Sequence, residues 1–119
     1  MENKLKKLEE EFEKVKKEIA GISYLKKGSI VKCYQTCGSS GCRCHEDIKF
    51  RHGPYLWWIS KEVGRTKSIL VPEGMLSEVK DYIENYKLLK SKFKRMEEIS
   101  EEIIKIKIKN YREELKKNK

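Results

Sequence analysis

Leu5, Leu8, Phe12, Val15, Ile19 and Ile22 recur at steps of 3, 4, 3, 4 and 3, with Glu and Lys filling the positions between them. That spacing is the a/d seam of a heptad repeat and predicts an amphipathic helix over residues 1–22. Gly21 is placed to cap its C-terminus. A stripe two residues wide in every seven predicts pairing with another helix, either later in the chain or in a second copy.

A longer helical pattern begins after Pro72-Glu73-Gly74 and meets no further Pro or Gly. Val79, Tyr82, Ile83, Tyr86, Leu89, Phe93, Met96, Ile99, Ile103 and Ile106 carry it, with a slip expected near Ile99. Ile104, Ile108, Tyr111 and Leu115 form a second set. A slip of this kind reads as a stammer in a coiled coil. Unbroken, a helix over residues 75–117 would be about 65 Å long, more than an isolated small globule accommodates. Lys105, Lys107 and Lys109 alternate with isoleucines in a strand-like way, which competes with the helical reading there.

Between the arms the period drops to two. Ser29–Gln35, Tyr55–Ser60 and Thr66–Val71 are β-type runs, and Lys61-Glu62-Val63-Gly64-Arg65 joins the last two as a hairpin. The expected architecture is α+β: two long helices, as coiled-coil arms, flanking a small three-stranded antiparallel zinc-binding head. Its segments are residues 1–22, 23–74 and 75–119.

With 119 residues, 39% of them charged, the chain has little material for a large core and needs a staple or a partner subunit. Lys, Glu and Ile dominate, a composition common in proteins from hot environments. No apolar run approaches the ~20 residues of a membrane span and the N-terminus lacks a signal-peptide pattern, so a cytoplasmic location is expected. The net charge of +9 is uneven: residues 1–22 are neutral, residues 23–74 carry nine cations against four acids, and residues 75–119 thirteen against nine. A basic middle segment suggests a polyanionic partner.

All four cysteines and both histidines fall between Cys33 and His52. Thiolate and imidazole are the preferred zinc ligands, and Cys37, Cys42, Cys44 and His52 form the expected tetrahedral set. Gly38-Ser39-Ser40-Gly41 supplies a flexible turn between the first two. The Cys42-x-Cys44 step is tighter than in ordinary zinc ribbons, and Cys33 or His45 could each replace a ligand. In a reducing cytosol metal is favoured over disulfide, with hyperthermophile proteins the exception.

Tyr55, Trp57 and Trp58 follow at once and offer either core packing or a stacking platform for bases. Arg43, Lys49, Arg51, Lys61, Arg65 and Lys67 interleave with these features. If loop and hairpin tip share one end of the head, six cations face a phosphate backbone together. Lys87, Lys90, Lys94 and Arg95 could extend that strip along the second arm, unless nearby glutamates neutralise them.

Gly28-Ser29-Ile30-Val31, Cys37-Gly38, Cys42-Arg43-Cys44, His52-Gly53-Pro54-Tyr55, Gly64-Arg65-Thr66, Val71-Pro72 and the Tyr82–Tyr86 helix together resemble a family of small uncharacterised proteins of bacteria, archaea and their viruses. Its signature is a CGK-type turn, a CxC pair and an HGPYYY-type strand. The likeness spans roughly residues 28–96. Here Ser39-Ser40 stands where the family has Lys-Pro, and the insert before His52 is longer. The resemblance supports the same four ligands and implies no established activity. Its members' frequent proximity to mobile-element genes favours nucleic acid.

The function expected is therefore a zinc-stabilised, homodimeric, nucleic-acid-binding protein, with DNA favoured over RNA and no membrane role. The alternative is an adaptor whose coiled-coil arms oligomerise or recruit a partner. No phosphate-binding Gly loop, nucleophile elbow or His-Glu metalloprotease helix is present, which argues against an enzyme.

Overall fold

The computed structural model describes residues 2–118, so Met1 and Lys119, at the ends of the expected first and third segments, lie outside it. The fold is α+β. Helix α1 (Glu2–Ala20) is followed by strands β1 (Ser29–Gln35), β2 (His52–Glu62) and β3 (Arg65–Val71), then helix α2 (Leu76–Lys117). The strands form one antiparallel sheet in the order β1-β2-β3. Two compact units result: residues 24–86, and residues 1–23 with 87–119.

In the sheet unit, strand alternation sends Leu56 and Trp58 to one face and Tyr55, Trp57 and Ile59 to the other. The first face is the core. Val71, Val79 and Ile83 are buried, and Ile30, Leu56 and Trp58 pack against them. The opening turns of α2 thus close the sheet's apolar side, as an amphipathic helix on a half-buried sheet must. The chain entering β1 is tied to the same helix. Lys26 donates its backbone amide to the Tyr82 carbonyl at 3.3 Å, and Asn85 Nδ2 donates to the Tyr24 carbonyl at 2.8 Å. The Tyr24 and Tyr82 rings meet edge to face at 5.8 Å.

In the helical unit, α1 finds its partner within the chain. Glu18 pairs with Lys92, Glu11 with Arg95, and Lys4 with Glu102, so α1 and α2 run antiparallel. Val15 and Ile99 are the buried centre of the seam, Ile99 only 1% exposed. On α2, Leu89, Lys92, Met96, Ile103 and Ile106 are half-buried, and with Ile99 they keep an unbroken 3-4 spacing.

The expected slip therefore does not occur. Phe93 is 62% exposed, and the seam position belongs to Lys92. Its aliphatic stem lies in the seam while its ammonium reaches Glu18. The Ile104–Lys109 alternation is helical as well, because α2 is a single helix through Lys117. Among the described residues no helix is long and apolar enough to cross a membrane.

Candidate metal centre

The chain leaves the sheet after Gln35 and returns at His52, so the cysteine loop is pinned at both ends by adjacent strands. Between them Arg43–His45 and Ile48–Phe50 each form one 3-10 turn. Asp47 accepts the Lys49 backbone amide at 3.3 Å and caps the second turn.

Pairing then aims the imidazole. Cys33 opposes Tyr55, yet Gln35 opposes His52, so β2 carries one extra residue in this stretch. Unbroken pairing would set Gly53 opposite Gln35. The bulge brings His52 into that register instead, the re-aiming for which such irregularities are used. Gly53 has φ +142°, and a β-carbon there would lie 2.9 Å from the Cys33 carbonyl oxygen. Only glycine fits this close approach.

The donor atoms of Cys37, Cys42, Cys44 and His52 all lie within 4.8 Å of one another. Cys42 Sγ is 3.2 Å from His52 Nε2, and Cys44 Sγ is 3.6 Å from Cys37 Sγ. A tetrahedral zinc site has S···S edges of about 3.8 Å and S···N edges of about 3.5 Å. The four side chains thus stand close to the shape an ion requires and can hold one. The same separation is far beyond a disulfide bond length of about 2.05 Å, and all four cysteines are free.

Local hydrogen bonds suit negative sulfur. The Cys37 amide donates to Cys44 Sγ at 3.3 Å. The Cys44 amide and then the His52 ring lower the Cys42 thiol to about 6, whereas burial pushes the Cys44 thiol up. Of Cys42 and Cys44, Cys42 therefore takes the negative charge first. A nearby positive charge would ease the release of the Cys44 proton.

The two alternative ligands lie outside this set. His45 Nε2 donates to the Cys37 carbonyl at 3.0 Å, bracing the loop. Cys33 remains half-buried on β1, opposite Tyr55.

The six expected cations do not gather at one end. Arg43, Lys49 and Arg51 belong to the cysteine loop at the start of β2. Lys61, Arg65 and Lys67 surround the β2–β3 turn at its far end. Strand β2 runs from the first group to the second. Among the described residues none of the six forms an ion pair. On α2 the expected basic strip is interrupted, since Arg95 is held by Glu11 and Glu98.

The aromatic trio is likewise divided. Trp58 packs on the core and its indole donates to the Lys27 carbonyl at 3.1 Å. Trp57 lies on the opposite face in the row Val31–Trp57–Leu70, its indole nitrogen buried without a hydrogen-bond partner among the described residues. Tyr55 shares that face next to Cys33. Sequence reasoning missed Lys32 and Tyr34, which the fold sets beside the loop, and Phe50 within it. Arg43 stands 4.0 Å and Lys49 5.2 Å from the Phe50 ring centroid.

No curated protein and no solved structure matches the chain. A family profile does match, described as a domain of unknown function (DUF6788). It runs over residues 5–81, starting within α1 and ending in the first turns of α2. That is well over half of the sequence, and the chain belongs to this family.

Proposed function

We propose that the chain is a zinc-stabilised, non-enzymatic, nucleic-acid-binding protein of the cytoplasm, contacting DNA in preference to RNA through its phosphates. The observation that carries this reading is the placement of Arg43, Lys49 and Arg51 on a loop organised by three sulfurs and an imidazole. Such a donor set suits zinc above harder cations. Four protein ligands also leave no open position for a reacting water, which supports a structural ion. The loop cations lack carboxylate partners among the described residues, so their charge is available to a polyanion.

The test is binding of labelled DNA and RNA, single- and double-stranded, as salt is raised. Affinity should fall with a slope that reports several displaced counterions. Absence of binding at low salt would end the reading.

One observation favours a second role, the homodimer or adaptor. Ile104, Ile108, Tyr111 and Leu115 are exposed at steps of 4, 3 and 4 on α2. The Lys4–Glu102 pair marks where α1 is reaching its own N-terminus, and α2 continues beyond it. Sedimentation of the wild type and Ile108→Glu tests this: only the wild type should self-associate.

A further inference from the structure

β1 is an edge strand, and in the sheet order β1-β2-β3 its outer side has no partner strand among the described residues. Along that edge the cysteine loop folds back to leave a cavity of about 490 Å³. Lys32, Cys33 and Tyr34 line one side, and Ile48, Lys49 and Arg51 the other. The lining holds three cations and no carboxylate. Asp47, the nearest acid in sequence to Lys49, is occupied with that residue's backbone amide. Lys49 is held in place by the Phe50 ring beneath its ammonium. Tyr34 is 51% exposed, so one side of its ring is open to a ligand.

We propose that this groove is a subsite for an unpaired nucleotide of a single strand. The base stacks on Tyr34 against Ile48, and the flanking phosphates lie on Lys32, Lys49 and Arg51. The inference rests on the nucleic-acid reading above and adds what that reading lacks, a reason to prefer single strands. Phosphate contacts alone do not distinguish a strand from a duplex. A ring in the wall of a cationic cavity does, because paired bases have no free face to offer it. The volume falls in the range that encloses one small ligand. The other basic group, at the β2–β3 turn, has no aromatic side chain among its neighbours in the sheet register and offers charge only.

The experiment measures anisotropy of a labelled oligo-dT strand and of its duplex with oligo-dA at low salt, using zinc-loaded full-length protein. Wild type should bind the single strand more tightly. Tyr34→Ala should lose about tenfold for the single strand, within the range expected for one stacked base, with duplex affinity unchanged. Tyr34→Phe should retain the single-strand affinity. Lys32→Gln, an exposed substitution that leaves the fold intact, should weaken single-strand binding also. Retained zinc content shows that Tyr34→Ala is folded. If wild type binds strand and duplex equally and Tyr34→Ala changes neither, the subsite is overturned while the phosphate-binding reading stands. Failure to bind any probe removes both. Tyr34-dependent binding of polyglutamate with no binding of oligo-dT overturns the proposal in favour of an acidic protein partner.

Discussion

Gly28 and Trp58 are fitted to each other: a β-carbon on Gly28 would lie 2.3 Å from Trp58 Nε1. That nitrogen donates to the Lys27 carbonyl, so glycine's missing side chain is the space the indole needs in order to bond to the preceding residue. Gly28 also has φ +143°, a conformation other residues resist. Gly28→Ala should therefore destabilise the sheet unit by about 2–3 kcal/mol, combining overpacking with backbone strain. Denaturant unfolding followed by tryptophan fluorescence gives the value. An unchanged midpoint would refute the fit.

Metal content and thiol reactivity should move together. Native protein is expected to hold one zinc per chain, with Cys33 alone reacting with a thiol reagent and all four cysteines reacting after chelation. Cys42→Ser or His52→Ala should lose the ion. Four thiols reacting at one rate in the native, unchelated state would contradict the centre.

The pH dependence has a definite sign. Ligation needs thiolates, and Cys44, whose thiol is raised by burial, must release a proton as metal enters. Affinity should fall as pH falls, more steeply approaching about 6, where Cys42 takes up its proton. A zinc titration at several pH values reads this directly, and a flat profile from 8 to 5.5 would exclude thiolate ligation.

Two isoleucines on α2 should behave in opposite ways. Ile99→Ala removes the centre of the α1–α2 seam and should cost about 2–4 kcal/mol. Ile108→Ala, 46% exposed, should change stability by less than about 0.5 kcal/mol. Thermal melts at equal, low protein concentration compare them. Equal losses would mean that Ile108 is buried in the folded species.

Loop cations should show in the salt dependence. Replacing Arg43 and Arg51 together by Gln is expected to reduce the slope of log affinity against log salt by about two on a DNA duplex. An unaltered slope would move the phosphate contacts elsewhere.

The helices were legible because a 3-4 spacing survives any tertiary context that buries one face. The sheet was legible because Gly64 and the alternation of Tyr55–Ser60 mark a hairpin locally. The four metal donors were legible because no ordinary packing requirement gathers thiols and imidazoles so densely. What could not be read was which neighbours each residue would acquire. Phe93 fits a seam by its apolarity, whereas the buried stem of Lys92 carries no such mark in the sequence. Whether the cations share one end depends on strand direction, which is decided only once pairing is known. Lys32 and Tyr34 carried no signal of their own. Their position depends on β1 lying at the edge of the sheet, and on a loop whose path is set by the cysteines.

The length of β2 imposes a ruler on any charged partner. A free phosphate can touch the loop cations or the turn cations, never both sets. A strand or duplex bridging them would have to run along β2 from the loop to the turn. Shortening an oligonucleotide below that span should therefore forfeit half of the available contacts in a single step, giving affinity a threshold in ligand length where a continuous basic surface would give a gradual decline.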